Sequence, residues 1–448
     1  MLQKPKTCEG CPLYDNGQGF VPDEVQDGQR VFIFAQNPGE QEEHDGKPMV
    51  GATGKVNDET YIPLTGLERG KDIGIGNSIR CRAVIAGKRS NLLPPAKILK
   101  AAQAHCNTAH LKIPASVKLV VAHGAAAWDY TQGKAHLSID DWRGFLGPHQ
   151  FHGRPVLATI HTAALFHNAK LIQIAKLDWR KVGAFIRGEW PQAIPDRIVI
   201  NELVPTVATS YRDKMEQWFD AAEKAEYVVL DTEYVVALDK KITLIGLLYE
   251  DEKGIHGLQY PFASSGSMAG LRGAFVERLA KLVTCTPVVG QNTVLADVDC
   301  IERNWGIPYS SYLKVHDIML MHHCLWAELP HSLEFLASVY SRYPKMKHLA
   351  GADALLYNWG DCLVTNETLK ALLKEAGVSP SSLRQPTLAP DAYTSRNETA
   401  GHLHESAGDR EVRPAVRGSD IRGWEYSGSI LRRTVQPEQQ QGVAGVAV

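Results

Sequence analysis

The chain has 448 residues, enough for about three domains at ~150 residues each. Its 44% hydrophobic and 22% charged residues exclude wholesale disorder, and no run approaches the ~18 consecutive apolar residues of a membrane span. The net charge of −2 excludes a uniformly basic protein but leaves room for a local Lys/Arg cluster that would hold phosphates.

The first residues, Met1-Leu2-Gln3-Lys4-Pro5-Lys6, lack the apolar core of a signal peptide, so the expected location is the cytoplasm of a bacterial or phage-infected cell, with no membrane partner. Val31–Phe34, Leu119–Ala122 and Val156–Thr159 are short apolar runs ending in polar or Gly-rich turns, as buried strands of a parallel sheet are. Helical spacing over Pro95–Leu111 and Thr162–Ile186 gives a β, α, β, α order. Ligands of such sheets sit beyond the carboxyl ends of the strands, which points to the residues after Phe34, Ala122 and Thr159. Trp190–Pro195 is Pro-rich and predicts a linker over 191–197. A second α/β half follows, with strands at Ile198–Ile200, Tyr227–Glu233 and Ile242–Leu248, a helix over Ser210–Ala225, and mostly helices from Leu271 to Lys374. After Gly377 the composition turns to Pro, Ser, Gly, Gln and Arg, which predicts a disordered tail over 377–448.

Cys8 and Cys11 form a C-x-x-C pair, and Cys81 and Cys106 lie in the same half. Four such residues suit zinc or an iron–sulfur cluster, and spacing alone does not choose between them. Cys285, Cys300, Cys324 and Cys362 have apolar neighbours and are expected to be core residues. Arg80, Arg82, Lys88 and Arg89, with Lys97 and Lys100, make the clearest basic cluster and are expected at phosphates.

The contexts of these residues carry a resemblance. Cys8-Glu9-Gly10-Cys11-Pro12-Leu13, Asn37-Pro38-Gly39-Glu40-Gln41-Glu42-Glu43, Gly46–Gly51, Asn77–Arg82, Ala104-His105-Cys106 and Ala158–Ala163 resemble, in order, the family 4 uracil-DNA glycosylases. The resemblance implies a three-layer α/β/α domain over 1–190 and a [4Fe-4S] cluster on Cys8, Cys11, Cys81 and Cys106. It also implies base reading by Asn77, a His161 that donates to the departing uracil anion, and an Asn37 that orients water. Gln36 stands where the family has Glu, Met49 where it has a stacking aromatic, and Thr162 where it has Pro; Gln36 and Met49 are expected to touch the base, and Arg80 and Arg82 the DNA.

In the second half, Asp231-Thr232-Glu233 lies on a strand whose alternation puts both carboxylates on one side. Asn292 with Asp297, then Tyr357 with Asp361 in a Y-x-x-x-D pattern, complete three acidic stations. These resemble the proofreading 3′–5′ exonuclease of family A DNA polymerases, a DnaQ-like, ribonuclease H-like fold, here over 198–376. The interval from Asn292 to Asp297 is one residue longer than in many relatives. The resemblance implies two Mg²⁺ or Mn²⁺ ions on Asp231, Glu233, Asp297 and Asp361, with Tyr357 orienting water and Asn292 touching substrate. Asp299 competes for the third station, and Asp317 is expected to start a helix.

The expected substrates are uracil-containing DNA and the 3′ ends of single strands, and the expected partner is a polymerase domain or replication machinery. Two other readings stay open for the first domain: a module that senses uracil without cleaving it, and a structural clamp with no uracil preference.

Overall fold

In the computed structural model of the protein, residues 2–384 are described apart from 15–17, 86–87, 134–136, 167, 169–170, 201–207 and 263–268. The predicted tail beyond 384 and the Arg89 side chain lie outside the described residues.

The first sheet is built from β1 (Val31–Ala35), β2 (Ile73–Asn77), β3 (Leu119–His123) and β4 (Val156–Thr159), with α1 (Ala96–His110) and α2 (Leu171–Arg187) beside it. The spatial order is β2-β1-β3-β4 and every pairing is parallel. The strands read as continuous apolar runs because both faces are buried. Val31 and Ile33 join one core with Ile73, Ile75, Leu119, Val121 and Leu157, while Phe32 and Phe34 join another with Val120, Ala122, Val156 and Ala158. β2 has no such run. Its alternate residues are Gly74 and Gly76, where a Cβ would come within 2.4 Å of Gln29 Oε1 and 2.5 Å of Asp23 Oδ1. The helix expected over 162–186 is two pieces, Thr162–Leu165 and α2.

The second sheet contains β5 (Arg197–Val199), β6 (Val228–Val235), β7 (Lys241–Asp251), β8 (Gly254–Pro261), β9 (Val288–Gly290) and β10 (Val315–Asp317). Its order is β10-β9-β6-β7-β8-β5. The β6–β7 and β7–β8 pairs are antiparallel and the rest parallel, so this half is mixed α/β, as expected. On its faces lie α3 (Ala208–Ala222), α4 (Ala269–Cys285), α5 (Asp299–Trp305), α6 (Ile318–Leu325), α7 (Leu333–Tyr340) and α8 (Ala354–Ala376). The ordered chain passes the predicted end of this half. Pro380–Arg384 forms a 3₁₀ turn, Leu383 is fully buried, and its carbonyl accepts from His316 Nε2 at 3.0 Å. Leu383, with Val378 before it, packs on the core of the second half.

A buried polar network ties the halves together. Arg143 donates to Asp178 Oδ1 at 2.9 Å and also reaches Ser338 Oγ on α7. Lys181 donates to the carbonyls of Gly144 and Ser338, each at 2.8 Å, and Thr159 Oγ1 donates to Asp178 at 3.3 Å. Gly144 sits at φ +74°, and a Cβ there would stand 2.6 Å from the Ser338 carbonyl. Removing one partner of a buried pair strands the other charge, at a cost of about 3–5 kcal/mol. Arg143→Leu is therefore expected to lower the free energy of unfolding in urea by that amount, measured by fluorescence and circular dichroism together. A loss below about 1 kcal/mol would mean that the network does not hold the halves together.

Candidate functional site

The carboxyl ends of β1 and β2 and the segment after β4 open on one cleft, lined by Gln36, Asn37, Glu42, Met49, Asn77, Asn91 and His161 among others. All five residues expected at the base, Gln36, Asn37, Met49, Asn77 and His161, are thus brought together. Asn77 ends β2 and is buried, and its Nδ2 has no hydrogen-bond partner among the described residues. An amide donor held dry without a partner is costly unless a ligand completes it. Asn37 Nδ2 donates to the carbonyls of Pro38 (3.0 Å) and Asn91 (3.3 Å). Its Oδ1 is therefore the atom left to accept from water.

His161 Nδ1 accepts from the Ala163 N–H at 3.1 Å, so the neutral ring carries its proton on Nε2 by assignment from this contact. Burial pushes its pKa down to about 4. His123, at the end of β3, stacks on it with centroids 4.7 Å apart. Burial first, then the charge of His161, hold His123 well below the usual range, and its Nε2 accepts from the Thr162 N–H at 3.3 Å. The cleft thus contains a preorganised, uncharged imidazole donor backed by a second neutral ring.

Glu42 fixes the opposite lip. One carboxylate oxygen accepts from the Met49 N–H at 2.6 Å and the other from Gly39 N–H, so it clamps the loop after β1 to the loop carrying Met49. Met49 is buried at φ +49°, with its carbonyl held by Arg69 at 2.9 Å.

Cys8, Cys11, Cys81 and Cys106 line one small cavity with Lys4, Arg80 and His105. Burial pushes the Cys8 thiol up to about 11 and Cys81 to about 12, with neighbouring cysteine charges adding to both. Gathered thiols that repel one another's ionisation are a donor set that a cation would relieve. Tetrahedral zinc at 2.3 Å would bring the sulfurs to about 3.8 Å of one another. Among the described residues, no three of these cysteines have their sulfurs within 4.8 Å. The four thiols are a soft donor set that an iron–sulfur cluster could use.

In the second half, ligand oxygens of Asp231, Glu233 and Asp361 lie within 4.8 Å of one another, as a divalent cation with oxygen ligands requires. Burial, then Asp297, Asp361 and Glu233, push Asp231 well up. Glu233 is raised to about 7, by burial and then Asp361, and Asp361 to about 6 by burial. Asn358 Nδ2 donates to Asp231 Oδ2 at 2.7 Å and is itself oriented by Gln259 at 2.7 Å. Tyr357 hydrogen-bonds Asp361 and accepts from Lys347 Nζ at 2.7 Å. Burial, then Asp361, push the phenol pKa up, so it stays protonated.

Asp297 stands outside that trio. Its Oδ1 accepts from the Thr232 N–H (2.9 Å) and hydroxyl (2.6 Å). Its segment, Val294–Val298, forms a π-turn, and from it Asp297 faces the β6 backbone. Asp299 is paired with Lys240 (2.6 Å) and Arg303 (2.9 Å) at the surface. Asp317 caps α6 through Met319 N–H and also accepts from the Asn292 N–H, both at 2.9 Å. The Asn292 side chain is exposed.

A model of the uracil DNA glycosylase superfamily matches residues 22–183. A type-4 uracil-DNA glycosylase of Thermotoga maritima is 30% identical over 193 residues, 42% of this chain and 93% of that relative. The chain belongs to the type-4 uracil-DNA glycosylases. Another, from Saccharolobus solfataricus, is 26% identical over 40% of this chain and 81% of its own. Among solved structures, Escherichia coli RNase D, an exoribonuclease involved in structured RNA processing, aligns at 14% identity and TM-score 0.29. That alignment covers 45% of this chain and 51% of RNase D, so the chain spans about half its length. The EXO domain of Aedes aegypti Nibbler aligns at 10% identity and TM-score 0.29, over 44% of this chain and 95% of that domain. The second half is read from its own carboxylates.

Within this type-4 glycosylase domain two expectations are corrected. Arg80 is 1% exposed and pairs with Asp23 at 2.5 Å; Arg82 is 9% exposed and pairs with Glu43 at 3.1 Å. Neither guanidinium is available to a phosphate. Lys88, Lys97 and Lys100 are exposed and keep that possibility. His123, Glu42, Lys347 and Asn358 were not singled out from the sequence. His123 lies just after Ala122, where the strand run pointed, but no motif gave it a role.

Proposed function

We propose that the protein excises uracil from DNA in its first domain and removes 3′-terminal nucleotides in its second. What supports the first activity best is the gathering of a partnerless Asn77 amide and a neutral His161 donor in one cleft. A flipped base would meet Asn77 along its hydrogen-bonding edge and Met49 as a soft apolar wall. As the N-glycosidic bond breaks, negative charge grows on the base, and the His161 Nε2–H donates to it without having to give up a net charge. Asn37 Oδ1 holds the water that attacks the sugar.

What supports the second activity is the Asp231, Glu233 and Asp361 trio. Divalent metal there would polarise the phosphodiester and lower the pKa of a bound water. Two ions is the arrangement we favour, with Asp297 adding charge behind the trio. Tyr357, pinned between Lys347 and Asp361, orients the attacking water as a hydrogen-bonding phenol. Leu238 and Leu295 are 60% and 74% exposed, each a few residues from a carboxylate of the site, and would offer apolar contact to unstacked terminal bases.

A DNA strand labelled at its 5′ end and carrying one internal uracil separates the two activities. Alkali-labile breaks at the uracil are expected with EDTA present, and a ladder of shortened 3′ ends only with Mg²⁺ or Mn²⁺. Selective binding of uracil-DNA with no base release would instead make the first domain a sensor, and trimming in EDTA would refute the metal reading. A polymerase partner remains part of the proposal only as the origin of the 3′ ends to be trimmed.

A further inference from the structure

Arg80 is almost completely buried, yet it touches neither substrate nor solvent. Its Nη1 donates to Cys106 Sγ at 3.4 Å and to Asn107 Oδ1 at 3.1 Å, and its Nη2 to Asp23 Oδ2 at 2.5 Å. Asp23 and Asn107 lead to the base cleft. Asp23 packs on β2 beside Asn77, the residue with the partnerless amide: a Cβ on Gly76 would stand 2.5 Å from Asp23 Oδ1. Asn107 Nδ2 donates to the Ser78 carbonyl at 3.0 Å and to the Gln103 carbonyl at 2.9 Å. Gln103 Nε2 donates to Ser78 Oγ at 3.0 Å, and Ser78 Oγ donates to the Gln36 carbonyl at 2.7 Å. A continuous hydrogen-bonded chain therefore runs from a cysteine sulfur to Ser78, the residue after Asn77, and on to Gln36.

We propose that Arg80 is a positioning residue that makes the four-cysteine site a support of the base-reading wall. The inference rests on the reading of Cys8, Cys11, Cys81 and Cys106 as ligands of an iron–sulfur cluster. A buried guanidinium needs anions around it. Asp23 supplies one, and a Cys106 thiolate holding the cluster would supply the second, 3.4 Å from Arg80 Nη1. With the cluster bound, Arg80 is held between two negative groups and in turn fixes Asp23 and Asn107, and through them β2 and the residue after β1.

The test uses the full chain purified without oxygen, with three readouts: iron per chain, cluster reduction potential, and uracil-DNA affinity together with kcat/KM for base release. Arg80→Gln is expected to keep its iron and to shift the potential negative, because a donor to a ligating sulfur is lost. It is also expected to lower kcat/KM by about ten-fold, the size typical of losing a group that orients a ligand, with Mg²⁺-dependent trimming unchanged. Arg80→Lys restores the potential. Asn107→Ala keeps the sulfur contact but cuts the chain beyond it, so its potential stays put while kcat/KM falls. This second variant carries the test if Arg80→Gln fails to fold. A shifted potential with unchanged affinity and release overturns the coupling, as does wild-type protein without iron. If the wild type binds uracil-DNA but releases no base, the proposed glycosylase activity fails by itself, and affinity and potential still decide the role of Arg80.

Discussion

Asp231→Asn is expected to remove metal-dependent 3′ trimming by about 10³-fold or more, the scale of losing a preorganised electrostatic contact to the transition state, while uracil release is unchanged. Asp231 is half-buried within the trio, and burial, then Asp297, Asp361 and Glu233, push its pKa up. Without a cation, these side chains hold protons in order to coexist; a divalent ion displaces them. Metal affinity should therefore rise with pH across the range set by Asp361, at about 6, and Glu233, at about 7. The half-saturating Mg²⁺ concentration for trimming is expected to fall between pH 5.5 and 8 and then level off. The same substitution removes one of several crowded like charges, so in EDTA the variant should melt no lower than the wild type. Lost activity with retained stability separates a ligand from a structural carboxylate. An Asp231→Asn protein that trims at the wild-type rate would refute the assignment.

The sequence carried the first sheet unevenly, and the reasons are physical. β1, β3 and β4 are buried on both faces and so appear as apolar runs, whereas β2, Ile73–Asn77, has glycines where Gln29 and Asp23 crowd the backbone and leaves no run to see. Asn77, at its end, was therefore reached through its motif and not through its strand. Charge was legible but its burial was not: Arg80 and Arg82 look like phosphate contacts in the sequence and are interior ion pairs, because their partners Asp23 and Glu43 are 57 and 39 residues away. That the two carboxylates of β6 share a side followed from strand alternation, and their part in a site from the resemblance of the three acidic stations. The orientation of Asp297 depends on a π-turn, which no residue type announces. Lys347 and Asn358 act through contacts across the fold or along a helix face beside a motif. The docking of the halves through Ser338 has no counterpart in any sequence pattern.

His161→Ala is expected to lower kcat for uracil release by about 10²–10³-fold, the usual loss when one preorganised donor to a developing anion is removed, with trimming intact. The pH profile tests the charge state of that donor. His161 is neutral above about pH 4 because burial disfavours its cation, so release should be flat from pH 8 down to about 5. A cationic donor would instead be lost as pH rises through about 6.5. An activity that climbs steeply on acidification would therefore refute the neutral-imidazole mechanism. His161→Gln, which retains an N–H donor, should recover part of the rate. Stability provides an independent reading of the same burial. His123 and His161 both have folded pKa values below their unfolded value of about 6.5, so between that pH and about 4 the unfolded chain binds more protons than the folded one. Their contribution is present above pH 6.5 and is lost as pH falls through this window. Replacing His161 by Ala should flatten that part of the stability curve, and a variant with the wild-type slope would mean that the imidazole is not buried as a neutral ring.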